Sequence, residues 1–155
     1  MTTYAGALGA SGHVDGPVAS ARLQQPTSVA FAPDGTLYFA DGTPGNKTLR
    51  KVSADGATVT SVTNGPPFGI VAMGADPSTG RIYCMVNADL VLPGGLWVYD
   101  PATDTSTRLI VAGTSQTTVL GSANPQLPVV QSIAVLGPKR IVLSGGLQVL
   151  LLTLP

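Results

Sequence analysis

The sequence predicts an all-β chain assembled from about three repeated antiparallel units, and three observations carry that expectation. Glycine and proline number 19 and 13 among 155 residues, so turn formers are abundant. Glu is absent and Lys occurs three times, which leaves strong helix formers scarce. Short runs rich in β-branched and aromatic residues recur between Asp-Gly and Pro signals, with four such runs in about 40 residues.

In chain order, residues 1–25 read as an N-terminal outer strand and loop. Residues 26–65 hold the first unit: the stretch 26–41 reads as two strands separated by Pro33, Asp34 and Gly35, a tripeptide suited to a tight hairpin. Strands at 48–53 and 58–62 follow, divided by Asp55 and Gly56. The pattern restarts over 66–113, with strands at 67–73, 81–86, 95–100 and 107–111, so that Ile70 takes the place of Val29. Residues 114–155 comprise a loop and an incomplete third unit, whose three strands run over 130–136, 140–143 and 147–153. Two irregular segments, 87–94 and 112–128, interrupt the repeat and read equally as interface loops or solvated insertions.

The first unit resembles an NHL-type β-propeller repeat. The resemblance rests on Ala5 and Gly6, Asp15 and Gly16, Ala21, Arg22 and Leu23, Pro26, Val29 and Ala30, Asp34 and Gly35, Leu37 and Tyr38, Ala40 and Asp41, Asn46, and Leu49 through Val52. It covers residues 4–62, with a small insertion at 42–45; the later units resemble generic propeller blades, with Asn87 standing where the repeat has Asp. The fold this implies is a partial β-propeller of about three four-stranded antiparallel blades. The resemblance assigns Asp41, Asn46 and Arg50 a role in organising the repeat. It also implies that the segment before the first blade supplies the outermost strand of the last. Closed propellers have about 4–8 blades, so completion by oligomerisation is expected. Thr3, Tyr4 and Ala5 of one subunit would then exchange onto Leu147, Val149 and Leu151 of another. The expected partner is a second copy, or another propeller-forming chain.

Candidate chemistry is sparse. His13 is the sole histidine and has no metal-ligand or catalytic spacing around it, so it reads as a loop histidine. Cys84 sits between Tyr83 and Met85 in an apolar run and reads as a small buried hydrophobe, unable to form an internal disulfide. Asp15, Asp34, Asp41 and Asp55 lack the spacing of a compact calcium loop, and Asp34 and Asp55 fit turns. Arg50 and Lys51, like Lys139 and Arg140, alternate faces along strands and form no phosphate patch. The glycines read as turns, since none has a nucleotide-loop context. Trp97, Tyr99 and Tyr4 could anchor a partner or stack on a sugar, but Trp97 and Tyr99 are assigned to packing.

Eight cationic residues balance eight acidic ones, which disfavours a nucleic-acid partner. The most apolar run, 147–152, is too short to cross a bilayer, and the first twenty residues have neither a basic nor an apolar signal-like segment. Low charge with many Thr, Ser, Ala, Gly and Val resembles secreted and virion surface proteins. The functional expectation is a noncatalytic, self-assembling module, structural or binding, with no metal or cofactor. A metal-dependent propeller hydrolase or lyase and a carbohydrate-binding lectin are the alternatives.

Overall fold

The computed structural model describes residues 2–43, 47–87, 94–111, 130–137, 139–145 and 148–154. The expectations placed on Asn46 and Leu147, most of the first insertion and all of the second, fall outside these residues.

The described residues form three antiparallel sheets and no helix, hence no helix long and apolar enough to cross a membrane. The first sheet contains β1 (Gly16–Pro17), β2 (Val29–Phe31), β3 (Leu37–Asp41), β4 (Thr48–Val52) and β5 (Thr58–Ser61), in the order β1-β5-β4-β3-β2. The second is a meander of β6 (Ile70–Ala75), β7 (Ile82–Val86), β8 (Gly95–Asp100) and β9 (Thr105–Val111). The third comprises β10 (Ser132–Gly137), β11 (Arg140–Gly145) and β12 (Gln148–Thr153). The opening strands β2, β6 and β10 lie side by side, giving a propeller-like stack of sheets. Among the described residues the three sheets thus have five, four and three strands, where four, four and three are expected. The extra strand, β1, comes from the segment read as a loop.

The turn chemistry accounts for the hairpins. Asp34 accepts a hydrogen bond from the Thr36 amide, and Gly35 adopts φ 89°, so the β2–β3 reversal uses a carboxylate and the residue that tolerates this backbone. The β4–β5 and β8–β9 turns repeat the device: Asp55 accepts from the Ala57 amide and Asp100 from the Ala102 amide.

Strand alternation decides what packs where. Tyr38, Ala40 and Leu49 of the first sheet meet Ile70, Met73, Ile82, Cys84 and Tyr99 of the second. The opposite face of the second sheet, with Ala72, Tyr83, Met85 and Leu96, meets Ile133, Ile141, Leu143 and Leu152 of the third. Every residue of β7 is therefore buried. Gly74 lets the third sheet approach closely, since a Cβ there would lie 3.1 Å from a Val135 methyl and 3.3 Å from the Ile133 carbonyl oxygen. β2 and β12, on the two end sheets, bury alternate residues and expose the rest.

Truncating Ile82, which is wholly buried between the first two sheets, leaves a cavity the stacked sheets cannot close. Ile82→Ala should lower unfolding stability by about 2–5 kcal/mol in urea titration. Val29→Ala, at an exposed position, should change the isolated chain by no more than about 0.5 kcal/mol.

Candidate functional site

The outer face of the first sheet carries Phe39, Val52 and Val59, which need cover. The chain preceding β2 provides it: Ala5, Val18, Ala21 and Leu23 pack on this face, and β1 pairs with β5 at its edge. Arg50 holds that layer in place. It faces outward from β4 opposite Phe39, is 0% exposed, and its guanidinium lies 5.7 Å from the Phe39 ring centroid. Nη1 donates to Asp41 Oδ2 at 2.6 Å and to the Arg22 carbonyl at 3.0 Å. Nη2 donates to Asp15 Oδ1 at 2.7 Å and to the Val14 carbonyl at 3.0 Å. Asp41 Oδ1 accepts from the Gln24 and Gln25 amides, while Asp15 Oδ2 accepts from the Ser61 amide. Two carboxylates and two carbonyls therefore fasten residues 14–25 to the sheet. Burial works to raise the Asp15 pKa, but hydrogen bonds from the Ser61 amide and Arg50 outweigh it and hold the carboxyl below its ordinary value.

The same network places His13 beside Ser61 and Asp41, which invites comparison with a nucleophile–base–acid arrangement. His13 Nε2 is 3.2 Å from Ser61 Oγ, but Nδ1 stands 3.7 Å from Asp41 Oδ2, beyond hydrogen-bond length. Ser61 Oγ donates to Asp15 Oδ1, and Asp41 is taken up by Arg50 and two amides. These groups are committed to tying chain segments together. The structure brings Asp41, Arg50 and Asp15 together, three residues on which the resemblance rests separately.

The other expected residues are dispersed. Thr3, Tyr4 and Ala5 form no strand within this chain; Ala5 packs on the outer face of the first sheet, and Tyr4 is exposed with its hydroxyl near Gly56. Val149 and Leu151 project from the outer face of the third sheet, exposed by 73% and 52%. Cys84 is buried, and burial pushes its thiol pKa up. Tyr99 is also buried and donates to Asp104, whereas Trp97 is only half-buried. Desolvation together with the nearby Asp34 and Asp104 charges pushes the Tyr38 phenol up to about 12. No group of three or more His, Cys, Asp or Glu among the described residues is placed to hold a metal ion.

No family model and no curated protein matches the chain. Solved structures do resemble it. A structural genomics protein of unknown function from Bacteroides thetaiotaomicron VPI-5482 superposes with a TM-score of 0.68 at 18% identity, over 93% of this chain and 32% of that one. The major Malassezia sympodialis allergen Mala s 1 gives a TM-score of 0.48 at 20% identity, over 81% of this chain and 36% of that one. The chain thus spans about a third of the length of either protein. The first likeness, together with the stacked antiparallel sheets, supports a β-propeller-like fold.

Removing Arg50 strands a buried carboxylate. Arg50→Met should cost about 3–5 kcal/mol of stability by denaturant titration. Because the folded Asp15 pKa lies below its ordinary 3.8, its contribution is present above that pH and disappears as pH falls through the lower folded value. The stability gap between the unaltered chain and Asp15→Asn should therefore narrow as pH is taken below about 4.

Proposed function

We propose that this chain is a noncatalytic propeller module, structural or binding in role, that completes its ring by associating with a second copy. The observation that carries the reading is the state of the two end faces. Val29 and Phe31 on the outer side of the first sheet are 59% and 63% exposed, and Val149 and Leu151 on the outer side of the third are exposed as well. Apolar side chains concentrated on the outer faces of end sheets are characteristic of surfaces that become covered.

A second copy fits these faces for a geometric reason. Within the chain, the following side of one sheet packs on the preceding side of the next, twice over. Placing the third sheet of one copy on the first sheet of another repeats that contact, and two such contacts related by a twofold axis close a ring of six blades. The chain has no net charge, so no long-range repulsion opposes pairing of copies. Thr3, Tyr4 and Ala5 belong to the segment that covers the outer side of the first sheet. They are thereby at hand to add a strand beside β12 of the partner.

The Asp41–Arg50 pair and the loop it anchors support an NHL-type organisation for the first blade. The noncatalytic reading is supported by the buried cysteine and by the committed hydrogen bonds around His13 and Ser61. Composition supports a place on a virion or cell exterior.

Light scattering should give twice 15.6 kDa for the unaltered chain. Phe31→Glu and Leu151→Glu, both at exposed positions, should each return the mass to 15.6 kDa with the fold retained, and deletion of residues 1–6 should weaken association. An unaltered chain that remains at 15.6 kDa at the highest concentration reached overturns the reading.

A further inference from the structure

We infer that the bond between Asn64 and Gly65 is a site of spontaneous covalent modification: the side-chain amide is lost as ammonia, and water leaves an aspartyl or isoaspartyl residue that undoes a tie between the first two sheets. This goes beyond the assembly reading and holds for a monomer and a dimer alike.

The reaction needs a particular neighbour. The Gly65 backbone nitrogen gives up its proton to solvent and bonds to Asn64 Cγ, while the Cγ–Nδ2 bond breaks and the amide departs as ammonia. The cyclic imide so formed takes up one water. Opening of the Cγ–N bond leaves aspartate; opening of the former peptide C–N bond leaves isoaspartate, with the chain rerouted through Cγ. One water thus replaces one ammonia, and no other reactant enters. A Cβ on the following residue crowds the attacking nitrogen, and glycine has none. Of the four asparagines, Asn46 precedes Lys, Asn87 precedes Ala, and Asn124 precedes Pro, whose nitrogen carries no proton. Asn64 alone precedes glycine.

The structure leaves this pair open to the reaction. Thr63 and Asn64 form an exposed turn in the linker between β5 and β6, outside the strand ladders. The Gly65 amide, the nucleophile, is held within the backbone only by a long bond to the Val62 carbonyl, at 3.4 Å. The departing group is engaged more firmly, since Asn64 Nδ2 donates to Asp104 Oδ2 at 2.9 Å. Both of these side chains are exposed, and a contact at the surface opens far more often than so slow a reaction proceeds. The contact therefore slows conversion without blocking it.

The same contact determines what conversion does. Asn64 joins the linker to the β8–β9 hairpin twice: Nδ2 donates to Asp104, and the backbone carbonyl accepts from Ser106 Oγ at 2.7 Å. The amide that is lost is the donor of the first bond. Hydrogen bonds from Tyr99 and Asn64 hold the Asp104 carboxyl below its ordinary value, so it is ionised at neutral pH. A new carboxylate at position 64 puts like charges where a hydrogen bond stood. In the isoaspartyl product the carbonyl that Ser106 holds also leaves the main chain. The change adds one negative charge and does not reverse, which makes it a clock on the junction of the first two sheets.

The folded chain is held at mildly alkaline pH beside a sample unfolded in guanidinium chloride, and peptide mapping by mass spectrometry follows the asparagines. Asn64 in the folded chain should convert at no less than about a tenth of its rate in the unfolded sample, taking one oxygen from labelled water. Isoaspartyl methyltransferase should label part of the product. Asn64→Asp, the aspartyl product made directly, should speed backbone hydrogen exchange in the linker about tenfold. Should that variant fail to fold, the converted chain, separated by its added charge on ion exchange, is measured in its place. The inference is overturned if Asn64 stays intact in the folded chain while half of the unfolded sample converts, or if the aspartyl form exchanges as the unaltered chain does.

Discussion

A sheet that is apolar on both faces has to be covered on both, and the architecture follows from that demand. The second sheet meets it within the chain, which is why all of β7 is buried. Each end sheet meets it on one side only. The first sheet is partly rescued by the segment before β2, which covers the outer strands and leaves Val29 and Phe31 bare near the inner edge. The third sheet has no such layer among the described residues, and Val149 and Leu151 are left exposed. The two deficits are of opposite sense, one facing backward along the stack and one forward. Contacts between identical copies can therefore satisfy both without a new kind of interface.

Arg50 shows what it takes to make an irregular segment serve as a third layer. Residues 5–23 contain one two-residue strand and a pair of isolated bridges, too little pairing to hold their own shape. A wholly buried guanidinium supplies the missing constraint by donating to two backbone carbonyls and two carboxylates at once. Desolvating such a group is costly, and hydrophobic residues in place of both partners of a buried ion pair can match the pair in stability. A hydrophobic side chain, however, would not specify which carbonyls lie where. The planar five-donor geometry of Arg does so, and it couples β3, β4 and the Asp15 loop into one unit.

Much of this was legible in the sequence because its signals are local. Alternating apolar positions and Asp-Gly or Asp-Pro turns mark the strands to within a few residues, and Gly35 and Gly56 take the positive φ those turns require. β1 escaped notice because it is two residues long, includes Pro17 and carries no alternation. The tie between Asp15 and Arg50 spans 35 residues, and no spacing rule connects an aspartate before Gly16 with an arginine in a later strand. The NHL resemblance rests on Asp15, Asp41 and Arg50 separately; that they meet at one guanidinium is seen only when the loop is folded back. Alternation identifies two faces of β2 and cannot say which is covered, so the exposure of Val29 and Phe31 is visible only in the folded chain.

The contact between Asn64 and Asp104 illustrates the same limit. Asn64 follows the last strand of the first sheet, Asp104 lies in a hairpin of the second, and each alone reads as a turn residue. Their hydrogen bond joins a linker between sheets to a hairpin within one. Because neither Asn64 nor Asp104 belongs to the apolar interfaces that stack the sheets, their identities are free of the packing demand that governs β6 and β7. The linker and hairpin residues therefore carry a tie between two sheets that the strand pattern does not reveal.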